Sequence, residues 1–478
     1  MLFGLYIDRF EQFVLQECPL LGIELTDTQI VSLLLYADDL VLMAQSPEDL
    51  QVLLDVLHRF AVANHLTVNT QKTKVLACGA PNWRGHVSYG GRALPTVDDF
   101  VYLGVRFYSC HHRQGNARLN MQSNLSKAKQ ALGALRSRSR EIGMYNVSVL
   151  TRLFDSLVRS VLDYGCEVWG VYQLHDVSKK AWGANNACEE LQRTFLRCCF
   201  GVRSQTPVAI MMSEARRQPL ARSWCQRAIG WWNKIVQRDQ DDLALVALRD
   251  SVTTLAGSVA GKPVRCWALA FRNMIHCIAP DCIALVDSLG LIPVETVLSA
   301  YDEHWSAHTW GDWRTLTHDA QPLRDIPPAR TTGFKLATYR HLFCTDTIEK
   351  GFGFVDHVHT PAQIKALASF RMGSHDLNIE RLRHKRTPRN ERLCQCCDQQ
   401  CVEDESHILE CPAYVSIRES FSDLAPTQPI PCLESYTRAF MNPTHRNKWP
   451  RLADFLTCVM NERTRILALR DALPIQLI

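Results

Sequence analysis

The sequence predicts an α+β fold in which strand-forming and helix-forming segments are segregated along the chain. Short apolar runs of strand composition cluster between Ile30 and Phe107, with one well-capped amphipathic segment among them. Beyond Ser109 the apolar residues recur instead at three and four positions, the period of helices packed on one face. Near the C-terminus five cysteines and one histidine fall within 18 residues, which marks a small metal-binding module.

Taken in order, MLFGLYIDRFEQFV places Leu2, Leu5, Tyr6, Phe10 and Phe13 on one helical face with no capping residue ahead of them, so the chain reads as beginning inside a helix. In LLLYADDLVLMAQ, Val31 to Tyr36 and Leu40 to Met43 are two short strands around Ala-Asp-Asp, the composition of a tight hairpin with both carboxylates at its tip. SPEDLQVLLDVLHRFAVANH follows as a helix: Ser46 is the N-cap, Pro47 the first helical position, and Leu50, Leu53, Leu54, Leu57 and Phe60 share one face. LTVNTQKTKVLAC reads as a strand, Gly90-Gly91 supplies the positive φ of a hairpin turn, and FVYLGVRF is a further strand. Met121, Leu125, Ala128, Leu132 and Leu135 then define a long helix. VLTRLFDSLVRSVL, CEELQRTFLRCCF and ARSWCQRAIGWWNKIV continue the helical pattern, and HDAQPLRDIPPARTTG, from His318 to Gly333, has linker composition.

With 478 residues and 46% hydrophobic content the chain can bury a sizeable core, which excludes a disordered protein. Nineteen cysteines, odd in number, scattered and without a signal peptide, argue against a secreted disulfide scaffold and for an intracellular setting, nucleus or cytoplasm. No uncharged apolar run reaches the ~18 residues of a membrane span. Asp38 and Asp39 break the nearest, so no membrane partner is expected.

Those two aspartates interrupt an apolar run in which unpaired charge would be costly to bury. Mg²⁺, a hard cation preferring carboxylate and phosphate oxygen, would offset that cost, and paired ions of this kind serve phosphoryl transfer. A solvated Asp-Asp turn is the plainer alternative. The net charge of +4 says little, but the cations are unevenly placed. Arg113, Arg118, Lys127, Lys129, Arg136, Arg138 and Arg140 occur without an intervening acid, largely on the long helix, and suit either phosphate contacts or a solvated face. A second block, FRMGSHDLNIERLRHKRTPRNER, includes Arg371, Arg386 and Arg392. It runs into CQCCDQQCVEDESHILEC, where Cys394, Cys397, His407 and Cys411, separated by two, nine and three residues, suit tetrahedral Zn²⁺. Cys396 and Cys401 compete as thiolate ligands, His407 is the cluster's only histidine, and buried structural cysteines are the alternative.

LLLYADDLVLMAQSPEDLQVLLD, followed by LTVNTQKTK and FVYLGV, resembles in order and spacing the palm of non-LTR retrotransposon reverse transcriptases. LFDSLVRSVLDYGCEVWG, FLRCCFGVRSQTP and the cysteine-rich tail are similar to later segments of the same proteins. The resemblance implies that Asp38 is the main Mg²⁺ ligand and Asp39 assists, that Lys72 lies near an incoming triphosphate unless it is an ordinary surface lysine, and that Tyr102 to Gly104 lies near the primer end. It further implies an RNA template and a DNA primer or target as partners, thumb-like contacts from the helical region, and a zinc-binding tail. The family's third carboxylate belongs upstream of LFGLYIDRFE, and Asp8, Glu11 and Glu17 do not replace it.

The expected organisation is a partial palm of antiparallel strands plus helix at 1–109, a helical thumb-like region at 110–330, a basic helical segment at 331–392, a zinc module at 393–415 and a helical segment at 416–478. The parent activity is RNA-directed DNA polymerisation, not expected of this chain alone because one carboxylate and the fingers are missing. The missing N-terminal part of the element's polyprotein is then a candidate partner. The rival expectation is a non-catalytic nucleic-acid-binding remnant using the basic helices and the zinc module.

Overall fold

The computed structural model describes the chain except residues 1–5, 27–28, 80–82, 84, 110–114, 175–185, 257–265, 311–334, 336–337, 344–352, 384, 386, 431 and 473–478. The linker assigned to His318–Gly333, together with Arg113 and Arg386, lies outside the described residues. The backbone groups into two compact units, neither contiguous in sequence. The first comprises Met1–Asn124, Gly165–Lys179 and Trp224–Leu298; the second comprises Leu125–Tyr164, Lys180–Ser223 and Ser299–Ile478. The helical part of the chain therefore contributes to both units.

In the first unit, helix α1 (Arg9–Glu17) packs on α2 (Pro47–Ala63), with Phe10 and Phe13 at 5.0 and 5.5 Å from the Phe60 ring. The Ser46 hydroxyl caps α2 by accepting from the Asp49 amide at 3.1 Å, and Leu53, Leu54, Leu57 and Phe60 are buried as their spacing requires. Five two-stranded pairings are described. Strands β1 (Ile23–Thr26) and β2 (Gln29–Val31), β3 (Leu33–Tyr36) and β4 (Asp39–Leu42), β6 (Ser88–Tyr89) and β7 (Arg92–Ala93), and β9 (Asp99–Tyr102) and β10 (Val105–Tyr108) pair antiparallel. Strand β5 (Val75–Leu76) pairs in parallel with β8 (Thr96–Val97).

Gly90 and Gly91 have φ of +54° and +79°, the backbone a two-residue hairpin turn requires. The strand expected over LTVNTQKTKVLAC is corrected: only Val75–Leu76 is extended. Asn69 turns the chain instead, its side-chain oxygen accepting from the Gln71 and Lys72 amides and its carbonyl from the Thr73 amide.

Helix α3 (Gly115–Glu141) runs from the first unit into the second. Its Asn120 clamps β10, accepting from the Arg106 amide at 2.8 Å and donating to the Arg106 carbonyl at 2.7 Å. Met121, Leu125, Ala128, Leu132 and Leu135 are all buried, matching the predicted face. The second unit is helical. Helix α4 (Val147–Phe154) passes into a π-helical turn at Asp155–Arg159, and its Phe154 stacks at 4.5 Å on Phe195 of α5 (Ala187–Phe200). Further along come α6 (Val208–Glu214), α7 (Leu220–Val236, which continues into the first unit), α8 (Pro361–Arg371), α9 (Leu433–Met441) and α10 (Lys448–Ala472). Among the described residues no helix is long and apolar enough to cross a membrane.

Candidate metal sites and nucleic-acid interface

The register of β3 and β4 fixes the carboxylate pair. Leu33 faces Leu42, Leu35 faces Leu40, and Tyr36 faces Asp39. Because side chains alternate along a strand, Leu33, Leu40 and Leu42 turn inward, where they pack against the α1–α2 core. Tyr36 and Asp39 are thereby turned to the other face. Ala37, with φ of +55°, and Asp38 form the turn. The hairpin and its tip match the sequence expectation, but the expected burial of the charges does not hold. Asp38 and Asp39 are exposed and Tyr36 is 64% exposed, so the carboxylates bear no desolvation cost that a cation would have to offset.

FVYLGVRF, expected as one strand, is instead a second hairpin, formed by β9 and β10. Leu103 and Gly104 make its two-residue turn with φ of +47° and +79°, and Tyr102 stands at the last position of β9. Burial pushes the Tyr102 hydroxyl above its ordinary pKa, and the nearby Asp39 carboxylate adds to the shift. Tyr102 is thus within electrostatic reach of Asp39, although the two lie 63 positions apart in sequence. Lys72 is exposed on the turn organised by Asn69. Two exposed carboxylates offer part of a Mg²⁺ coordination sphere, the remainder of which this ion usually draws from water and substrate phosphate. Among the described residues, no cluster of three acid, cysteine or histidine ligand atoms lying within 4.8 Å of one another includes Asp38 or Asp39.

The cysteine-rich tail closes more tightly. Leu393 bridges Val402, and the Cys394 amide donates to the Cys401 carbonyl at 2.8 Å, folding the intervening residues into a knuckle. The Asp404 carboxylate accepts from the Ser406 and His407 amides, both at 3.1 Å, and so orients the turn that presents His407. Cys394, Cys397, His407 and Cys411 bring their ligand atoms within 4.8 Å of one another, with the Cys394 and Cys411 sulfurs 4.0 Å apart and the Cys397 sulfur 3.5 Å from His407 Nε2. A tetrahedron with Zn–S of about 2.3 Å and Zn–N of about 2.0 Å has edges of about 3.5–3.8 Å, so the donor set fits zinc with little rearrangement.

Of the competing cysteines, Cys401 is exposed and directed at the Gln399 carbonyl. Cys396 instead belongs to a second grouping with Cys394 and Glu403. There the Glu403 carboxylate is already bound by Arg463 at 2.7 and 2.8 Å. The Cys396 sulfur favours ionisation of Cys394, but the Cys411 sulfur and burial outweigh it and push the Cys394 thiol up to about 12. Burial lowers the pKa of His407, favouring the neutral imidazole that can ligate a metal.

The basic residues divide by burial. Lys127, Lys129, Arg138 and Arg140 of α3 are exposed and Arg136 is half-buried. Arg371 and Arg392 correct the expectation that they face a nucleic acid, since both are 2% exposed. Arg371 donates to Glu214 at 2.8 Å, to the Phe343 and Met441 carbonyls and to Asn442, while Arg392 donates to the Thr387 and Ile379 carbonyls. Their guanidinium groups are spent on protein acceptors. The partners of Arg371 lie 28 to 157 positions away, which local charge counting does not detect.

Residues 1–107 match the family described as reverse transcriptase (RNA-dependent DNA polymerase). A putative uncharacterized transposon-derived protein of Caenorhabditis elegans is 31% identical to this chain over 140 residues, covering 28% of the chain and 47% of that protein. The chain therefore spans about half the length of the curated relative it matches.

Proposed function

We propose, from the match of residues 1–107 to the reverse transcriptase family and the likeness to a transposon-derived protein, that this chain engages a template and primer and that Asp38 and Asp39 are two carboxylates of a polymerase metal site. The observation that carries the reading is the hairpin with both carboxylates at an exposed turn, Asp39 within electrostatic reach of Tyr102, inside the matched segment. Asp38 and Asp39 would hold Mg²⁺ against the phosphates of a nucleotide, and the ion would supply charge stabilisation for attack by a primer hydroxyl. Tyr102 and Gly104 would lie along the primer end, Lys72 near the triphosphate, and the basic helix α3 along the nucleic-acid backbone.

A two-metal reaction needs more ligands than one adjacent pair provides, and no third joins the pair among the described residues. The chain by itself is therefore proposed to bind without polymerising. At the other end, Cys394, Cys397, His407 and Cys411 would hold one Zn²⁺ as a structural ion, all four tetrahedral positions being filled by protein. Binding of a labelled RNA–DNA hybrid to the purified chain across a salt series tests the reading. Affinity should fall linearly on a log–log plot as salt rises, and no binding at low salt would overturn it.

A further inference from the structure

We infer that one flank of α3, carrying Lys129, Arg136 and Arg140, is a track for a single phosphodiester strand whose closest approach is at Gly133, and that the cations on the opposite side are not part of it. The inference rests on the nucleic-acid reading above and narrows it to particular residues.

From Leu125 to Glu141, helical geometry separates the cations of α3 into two groups. At 100° per residue, Lys129, Arg136 and Arg140 fall within about 40° of one another around the axis and span about 16 Å along it. Lys127 and Arg138 lie about 140–180° away. The buried stripe of Leu125, Ala128, Leu132 and Leu135 separates the two groups on one side, so a single straight strand cannot follow both. Arg138 is also engaged by an acid on its own helix. Arg138 donates to the Glu141 carboxylate at 3.0 Å, and Ser137 donates to it at 3.2 Å. The acid at the end of the helix is thus held by Arg138 and Ser137.

A surface concavity of about 480 Å³ lies beside the first group, lined by Gly133, Arg136, Ser137, Arg140 and Glu141. Gly133 has no packing reason to be glycine. A Cβ placed there would meet no heavy atom within 4 Å, it is exposed, and its backbone is helical. Glycine inside a helix is destabilising relative to alanine, so the fold would be better served by a side chain at this position. What the missing side chain does provide is room for something outside the chain to approach the helix backbone, between two guanidinium groups and one ammonium. A phosphodiester strand matches this combination of repeated positive charge and an open backbone. No base-reading geometry is involved, so the contact is independent of sequence.

The test uses the full chain and anisotropy titrations of RNA–DNA hybrid, single-stranded RNA and single-stranded DNA at several salt concentrations. Replacing Lys129, Arg136 and Arg140 together by alanine should reduce the log–log salt slope by about 2–2.7, at 0.7–0.9 per phosphate contact. Lys127→Ala with Arg138→Ala should leave the slope unchanged. Alanine is the best helix former, so α3 persists in each variant. Gly133→Ala should raise the thermal midpoint while weakening binding several-fold, a divergence that a merely structural role would not produce. Equal slope losses from the two groups, an effect confined to the hybrid, or undiminished binding by Gly133→Ala would each overturn the inference and leave the proposed function standing. Failure of the unchanged chain to bind any of the three ligands would overturn both.

Discussion

At Arg371 the charge that a sequence count assigns to a surface block is instead a structural centre. Its guanidinium joins α8 to Glu214 of α6 and to the carbonyls of Phe343 and Met441, and lies 5.2 and 5.5 Å from the Phe343 and Trp449 rings. Removing one member of such a buried pair leaves the other charge without compensation. Arg371→Ala should therefore destabilise the chain by about 3–5 kcal/mol in denaturant unfolding, while any folded fraction keeps the unchanged salt slope for hybrid binding. A reduced slope with intact stability would restore Arg371 to the surface. Arg371 was misread from sequence because Glu214 lies 157 positions upstream. Asp38 and Asp39 were legible because a turn declares itself locally, through small and polar residues between apolar runs. Their exposure was not, since an apolar run gives no sign of which face it buries until the register is known.

Among the elements, the hairpins at Ala37–Asp38 and Gly90–Gly91 and the capped helix α2 followed from neighbouring residues, whereas FVYLGVRF, read as one strand, is a hairpin turned at Leu103–Gly104, and LTVNTQKTK is a turn. Asn69 competes for the backbone amides that a strand would use, and the side-chain bond won. The cysteine knuckle was readable from spacing alone, but its anchorage was not. Glu403 also accepts from the Asn378 amide at 2.7 Å, so together with its Arg463 contacts it ties the knuckle to α10. Buried His375 pairs with Glu405 at 3.1 Å. Elemental analysis should accordingly find one zinc per chain. Chelation should sensitise 375–411 to protease and loosen α10, because a structural zinc contributes directly to folding. With the Cys394 thiol pushed up to about 12, thiolate formation on binding must release protons, so zinc affinity should fall as pH is lowered from neutrality and rise as pH increases. A folded protein free of zinc, or affinity indifferent to pH, would remove the assignment.

Over the whole molecule, the order of strands, helices and cysteine-rich tail was visible in sequence, yet the grouping into two interleaved units was not. That grouping depends on Gly165–Lys179 and Trp224–Leu298 returning to the first unit, as when Trp267 donates to the Glu167 carbonyl at 3.1 Å. Amphipathic periodicity shows that a helix buries a face but not which partner covers it. The proposed function rests at this scale on two exposed carboxylates at a hairpin turn, which no third acid, cysteine or histidine ligand joins among the described residues. Primer extension by the purified chain on an RNA template with Mg²⁺ and nucleotide triphosphates, run beside Asp38→Ala, tests this most directly. The account predicts no extension by either protein under conditions where the hybrid is bound; extension that disappears in Asp38→Ala would contradict it.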